Sequence, residues 1–303
     1  MARRPSRRLT ALLIAAIAAA CSPAASEVTT TTTGLRPTTT TVRSATTTTT
    51  TSTATSPTES SLPEPDTSQV DEGWDADVTV PDGGGPFPAV VLVHGGGWVT
   101  GGTGIMEPLA GYLNDHGYMT VNTRYTLATF DHAGFPEAVE DIACAVRHAA
   151  SHPRSDGTVT IVGHSAGAHL GALVALTGDH YRGECALDGT GVPDRFVGLA
   201  GPYDVSRVGL AIAAFFGGGP SQMPDTWEAG NPQLLTDENP DLDSLIVYGE
   251  RDGIVPERFA LEFHEALLES GSASLLELIE GARHNQLHDP VLVGDLIVTW
   301  LDR

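Results

Sequence analysis

From position 78 onward, short apolar runs alternate with stretches whose apolar residues recur at helical spacing. The runs predict strands over 78–80, 89–93, 118–122, 158–162, 196–199, 244–248 and 275–279. The periodic stretches predict helices over 106–116, 136–150, 166–176, 256–269 and 290–301, three of them opening at Pro136, Pro256 and Pro290, where a missing N–H is tolerated. Several strands are apolar almost without interruption, as in Ala89-Val90-Val91-Leu92-Val93, which is the pattern of a strand buried on both faces. Such strands alternating with helices predict an α/β fold, a mainly parallel sheet with helices on both faces. The stretch 201–240 carries neither period and is expected to be irregular. In a sheet of this kind, active sites lie beyond the carboxyl ends of the strands.

Upstream of the domain the pattern changes twice. Arg3, Arg4, Arg7 and Arg8 precede an apolar run from Leu9 to Ala20, and Cys21 follows Ala18-Ala19-Ala20. A charged segment, a short apolar core and small residues before a cleavage point describe a secretory signal over residues 1–20, and about twelve apolar residues are too few to span a bilayer. The protein is therefore expected to be exported. Cys21 stands where a bacterial lipoprotein signal places the cysteine that becomes lipidated, with Ala18 in place of the commoner leucine; Ser6-Arg7-Arg8 leaves a twin-arginine signal as the lesser alternative. Residues 21–72 are mostly Thr, Ser and Pro, too poor in large apolar side chains to offset the entropy of ordering. They are expected to form a disordered tether whose hydroxyls invite O-glycosylation. Residues 73–303 then form one domain of a size that suits a single α/β core.

Charge narrows the possible partners. The formal net charge is −22, and from position 60 onward 10 Arg and no Lys face 36 Asp plus Glu. Such a surface repels nucleic acid and anionic headgroups, which argues against nucleic-acid binding and against electrostatic docking on a membrane. With Cys21 assigned to the signal, Cys144 and Cys185 are the pair available for a disulfide in an exported chain, and neither has metal-ligand spacing.

Gly163-His164-Ser165-Ala166-Gly167 joins the predicted strand at 158–162 to the predicted helix at 166–176. A serine at the apex of so sharp a turn takes a strained backbone conformation, and a Cβ two residues before or after it would clash, which accounts for both glycines. The turn lifts the Ser165 hydroxyl clear of the sheet edge, and the free N–H groups of the helix start, beginning with Ala166, point toward whatever the serine attacks. A serine hydroxyl needs a base to take its proton, and the base needs an orienting carboxylate. His284, on the loop after the strand at 275–279, is the candidate base, with His288 in reserve; the His164 side chain adjoins Ser165 in sequence but diverges from it on a tight turn. Asp252, on the loop after the strand at 244–248, is the candidate carboxylate, with Glu250 and Asp243 as distant alternatives. His94-Gly95-Gly96-Gly97-Trp98 follows the strand at 89–93, and consecutive glycines let backbone N–H groups turn inward to donate to an oxyanion. All of these candidates fall beyond the carboxyl ends of predicted strands.

With these motifs in this order, the chain resembles an α/β-hydrolase of the esterase/lipase group that includes the hormone-sensitive-lipase-like carboxylesterases and the feruloyl- or acetyl-esterase-like enzymes. The resemblance covers about residues 77–300 and extends to Phe135-Pro136-Glu137-Ala138-Val139-Glu140-Asp141 before the serine strand and Gly198-Leu199-Ala200-Gly201-Pro202-Tyr203-Asp204 after it. It implies Ser165, Asp252 and His284 as a catalytic triad, with the N–H groups of Gly96, Gly97 and Ala166 as the oxyanion hole. It also implies hydrolysis of a small-molecule carboxylic ester through an acyl-enzyme, with no metal and no organic cofactor.

Two features depart from the family pattern. Arg124-Tyr125-Thr126-Leu127 stands where the family often has Tyr-Arg-Leu, so this loop is expected to pack differently. Residues 73–93 leave no room for the N-terminal helical cap of many lipase-like relatives, so a minimal cap and short to medium acyl chains are expected. The site would then be screened by Phe215, Phe216, Met223 and Trp227, unless those side chains are core. A serine peptidase on the same fold is the alternative enzyme, and an inactive cell-envelope lipoprotein is the alternative outside enzymes. The expected location is the outer face of the cell membrane, lipid-anchored, or the secreted state.

Overall fold

Seven strands form one sheet in the computed structural model, which describes residues 75–303. The expectations for the signal over 1–20, for lipidation at Cys21 and for the tether over 21–72 lie outside the described residues. The strands are β1 (Ala76–Thr79), β2 (Phe87–Val93), β3 (Met119–Thr123), β4 (Ser155–His164), β5 (Arg195–Leu199), β6 (Asp243–Gly249) and β7 (Ala273–Ile279). They lie in the order β1-β3-β2-β4-β5-β6-β7, with β1 antiparallel to β3 and every other pair parallel. The helices are α1 (Glu107–Asp115), α2 (Glu137–Ser151), α3 (Ala166–Thr177), the short α4 (Pro224–Ala229), α5 (Arg258–Ser270) and α6 (Pro290–Leu301).

Strand side chains alternate between the two faces, so each face builds its own core. Ala89, Val91 and Val93 of β2 join Ile161, Phe196 and Ile246 in a core covered by α2, α3 and α5 through Val139, Ile142, Leu170, Leu173 and Phe263. Val90 and Leu92 point the other way, with Val197, Leu245 and Val247, into a core covered by α1 and α6 through Leu109, Leu113, Val293, Ile297 and Trp300. Burying each such side chain stabilises the fold by about 1.5–3 kcal/mol before entropy is counted. Double burial is what removed the polar positions from β2, β5 and β6 and made them apolar runs in the sequence.

The stretch 201–240 is irregular, as expected, but it is not featureless. It folds into 3₁₀ turns at Val205–Arg207, Gly209–Ala213, Pro232–Leu234 and Thr236–Glu238 and into α4. Of the four residues that could have screened the site, Phe215, Phe216 and Trp227 belong to the core, and only Met223 is exposed. Their rings pack on one another and on Phe135, which ties this insertion to the start of α2. Cys144 on α2 and Cys185 in the loop after α3 form a disulfide with Cα atoms 5.7 Å apart. In the loop 124–127, Arg124 reaches out to Asp75, while the Thr126 N–H and hydroxyl both donate to Asp141 at 2.7 Å.

Candidate active site

Ser165 sits between the end of β4 and the start of α3 with φ 55° and ψ −120°. A positive φ at a residue with a side chain costs about 1–3 kcal/mol, so something must enforce it. Backbone contact does so on both sides. A Cβ on Gly163 would lie 2.3 Å from the Gly167 carbonyl oxygen, and a Cβ on Gly167 would lie 2.2 Å from that of Val93. The Ser165 N–H donates to the Leu199 carbonyl at 2.8 Å, and the Ser165 carbonyl accepts from Ala168 and His169 as α3 begins. The serine is therefore fixed by the crossing of β4, β2 and α3, whose backbones approach more closely than any side chain allows.

The structure brings Ser165, His284 and Asp252 together. His284 Nε2 lies 2.8 Å from Ser165 Oγ, and His284 Nδ1 lies 2.7 Å from Asp252 Oδ2. A carboxylate can only accept, so Nδ1 carries the proton and Nε2 is left to accept from the serine hydroxyl. The base and carboxylate side chains are almost wholly buried, with 3% of His284 and none of Asp252 exposed. Asp252 also holds its own loop, through its other oxygen: Oδ1 accepts from the N–H groups of Ile254 and Val255 at 2.8 and 2.9 Å, which locks the carboxylate in place. The alternatives are placed elsewhere. Glu250 accepts from the Gly281 N–H, Asp243 faces Arg195, and His288 packs against His164 rather than reaching the serine.

The glycine loop after β2 passes directly over the serine. A Cβ on Gly95 would meet the Ser165 Cβ at 3.1 Å, and one on Gly96 would fall 1.8 Å from the Thr100 carbonyl oxygen. Gly96, Gly97 and Trp98 have φ values of 134°, 60° and 63°, a run of left-handed backbone in which Trp98 is the only residue with a side chain. Among the described residues, the N–H groups of Gly96, Gly97 and Ala166 donate to no backbone acceptor. Backbone N–H groups left without a backbone acceptor, on the loop beside Ser165 and at the start of its helix, are donors of the kind an oxyanion hole uses.

Residues 76–267 match the BD-FAE family. The chain belongs to the BD-FAE family, an α/β-hydrolase esterase family. Among curated proteins it is similar to esterase LipC of Mycobacterium tuberculosis, 27% identical over 66% of this chain and 53% of the relative. It is also similar to a probable isoprenylcysteine alpha-carbonyl methylesterase of Arabidopsis thaliana, 23% identical over 69% of this chain and 48% of the relative. The chain thus spans about half the length of the curated relatives it matches. Among solved structures, an acetyl ester-xyloside bifunctional hydrolase from Caldicellulosiruptor lactoaceticus superposes with a TM-score of 0.63 at 20% identity, over 75% of this chain and 87% of that one. Esterase 2 from Thermogutta terrifontis gives 0.59 at 20% identity, over 75% and 89%.

In this BD-FAE chain two further histidines meet the site, of which only His164 is placed there by the sequence motif. His164, adjacent to the serine, turns away from it as expected. Its Nε2–H donates to the main-chain carbonyl of His284 at 3.0 Å, which steadies the loop that carries the base. Burial, followed by the nearby His284 and His288, holds its pKa well below the usual histidine value, so the ring is neutral. His169, one turn into α3, accepts from the Trp98 indole N–H at 3.1 Å and donates from Nε2 to the Gly230 carbonyl at 2.9 Å. The Tyr125 ring stacks on His94 at 4.3 Å and its hydroxyl donates to the His94 carbonyl, so the loop that departs from the family pattern braces the root of the glycine run. The only sequence cue to His169 was a polar residue inside the otherwise apolar helix 166–176.

Proposed function

We propose that the protein is a serine carboxylesterase that cleaves esters of short acyl groups through an acyl-enzyme on Ser165. The observation that carries this reading is the unbroken path from Ser165 Oγ through the His284 ring to Asp252, at 2.8 and 2.7 Å. As Oγ attacks the ester carbonyl carbon, His284 Nε2 takes its proton and Asp252 stabilises the imidazolium. The tetrahedral oxyanion accepts from the N–H groups of Gly96, Gly97 and Ala166, each donor contributing about 2.7–4 kcal/mol to the transition state. The proton then passes from His284 to the leaving alcohol, and water repeats the sequence to release the acid and free Ser165.

The preference for short acyl groups is supported by the insertion between β5 and β6. Its aromatic side chains Phe215, Phe216 and Trp227 lie in the core and so offer no aromatic wall for a long chain to cover. Thermogutta terrifontis esterase 2 has been solved with propionate and with butyrate bound, and also phosphoramylated by tabun, which fits a small acyl site on this fold. Export and anchoring through a lipidated Cys21 belong to the same proposal and rest on the sequence. Mass spectrometry of the mature N-terminus should find diacylglyceryl on Cys21, and an unmodified residue downstream of it would remove the anchor.

The test is hydrolysis of p-nitrophenyl esters graded by acyl length, with wild type and Ser165→Ala side by side. Turnover should peak between acetyl and butyryl and vanish in the variant. A steady rise through octanoyl would move the reading to a lipase, and substantial turnover by Ser165→Ala would end it.

A further inference from the structure

We propose that His169 is a positioning residue that holds the oxyanion loop in register with the nucleophile, by joining Trp98 of that loop to Gly230 of the β5–β6 insertion. The inference rests on the reading of Ser165 and the glycine loop given above. It concerns a residue outside the triad and outside the oxyanion donors.

Gly96 and Gly97 have no side chains with which to anchor themselves, and glycine gives up the most conformational freedom when it is ordered. The Gly96 carbonyl accepts from the Val99 and Thr100 N–H groups, and beyond that turn the loop is placed by its neighbours. Trp98 is the first side chain after the glycines, and it is gripped on every side: its carbonyl accepts from Ala128 at 2.8 Å, its indole N–H donates to His169 Nδ1 at 3.1 Å, and its ring stacks on Phe215 at 6.0 Å. Of these contacts, the bond to His169 leads back to the chemistry. His169 lies on α3, the helix that starts at the serine, and its own N–H donates to the Ser165 carbonyl at 3.1 Å.

The ring has two nitrogens, and both are used inside the protein. Donation from Nε2 to the Gly230 carbonyl fixes the tautomer and leaves Nδ1 as the acceptor for Trp98. The side chain is fully buried, and burial pushes its pKa down to about 4, so at neutral pH the ring keeps this single arrangement. The far end is equally constrained. A Cβ on Gly230 would lie 2.3 Å from the Phe216 ring, and Phe216 packs in turn on Phe135 beside α2, so Gly230 is held by the packing of the insertion on the domain. One imidazole therefore ties the oxyanion loop, the nucleophile helix and the insertion to each other.

The two bonds can be separated by substitution. In His169→Asn the amide oxygen falls where Nδ1 was and keeps the bond to Trp98, whereas in His169→Gln the amide nitrogen falls where Nε2 was and keeps only the bond to Gly230. The full chain carrying each variant, together with Trp98→Phe and the Trp98→Phe/His169→Gln pair, is assayed on p-nitrophenyl acetate. We expect His169→Gln and Trp98→Phe to lower kcat about 10- to 100-fold with KM nearly unchanged, the pair to lose no more than either alone, and His169→Asn to recover most of kcat. A parallel readout without turnover is the 15N-resolved indole N–H resonance of Trp98, which should keep its hydrogen-bonded shift in His169→Asn and lose it in His169→Gln. Equal effects of Asn and Gln on kcat, or additive losses in the pair, would reduce His169 to a core residue. If Ser165→Ala keeps wild-type turnover, the functional reading falls, and the indole shift alone then decides whether the clamp exists.

Discussion

At the nucleophile turn, a Cβ on Gly167 would lie 2.2 Å from the Val93 carbonyl oxygen, so backbone alone holds the serine in place. In the oxyanion loop backbone is close-packed too, with Gly96 against the Thr100 carbonyl, but the loop is also tied by a side chain, Trp98, whose partner His169 is 71 positions away and whose anchor at Gly230 is 61 positions beyond that. The first region is fixed by backbone sterics, between Gly163 and Gly167 within the turn and between Gly167 and Val93 of β2. The second adds to its backbone contacts a chain of bonds gathered from three separate elements. A backbone-enforced turn tolerates no change and holds its shape under most conditions, whereas a loop held by side-chain bonds can lose its function while the fold survives.

The largest effect should come from Gly167→Ala, because the new Cβ meets backbone and not a mobile side chain. We expect a loss of about 3 kcal/mol or more in urea unfolding, together with loss of esterase activity. Wild-type stability in this variant would show that the turn is not sterically enforced. Gly97→Ala should behave in the opposite sense. At φ 60° the side chain adds about 1–2 kcal/mol of strain, but displacement of an oxyanion donor should cut kcat by roughly 100-fold or more while the protein stays folded. Paired measurements of unfolding and kcat on the two variants check this reversal.

Acid should strike at the side-chain-held region. Burial lowers the pKa of His169 from its ordinary 6.5 to about 4. The unfolded chain binds that proton below about pH 6.5 and the folded chain refuses it until about pH 4, so stability is full above pH 6.5 and declines as pH falls through this window. The decline is on the order of 3 kcal/mol for a shift of this size, and His164 acts in the same direction. Urea midpoints measured between pH 7 and pH 4 should follow this slope in wild type and a shallower one in His169→Leu; parallel slopes would remove His169 from the account.

The smallest effect on activity should come from Cys144→Ser/Cys185→Ser. The disulfide joins α2 to the loop after α3 across 41 positions, and neither cysteine belongs to the nucleophile turn or the glycine loop. Stability should fall by about 4 kcal/mol while kcat in the remaining folded protein stays near wild type. A matching fall in kcat would mean that the bond supports the site as well as the fold.

The same contrast decides how much could be read from the sequence. Double burial turned β2 and β6 into apolar runs, and the turn around Ser165 announced itself because its steric rule acts between neighbours. His284 and Asp252 could be placed because both follow predicted strands, but the bonds from Ile254 and Val255 to Asp252 needed coordinates. β4 begins at Ser155, ahead of the apolar run at 158–162, because its first residues pair with the start of β2 across a register shift that no periodicity records. The strand order, the burial of Phe215, Phe216 and Trp227, the Cys144–Cys185 bond and the contact of His169 with Trp98 are all long-range pairings. Spacing along the chain offers candidates for these pairings but cannot choose among them.

On the proposed function, Ser165 and no other serine is made nucleophilic by His284. Labelling of the purified protein with a fluorophosphonate, followed by peptide mass spectrometry, tests it most directly. One adduct per chain is expected, on Ser165, with a labelling rate that falls by several orders of magnitude in His284→Ala and little in His288→Ala. An adduct on another residue, or labelling of Ser165 that is indifferent to His284, would contradict it.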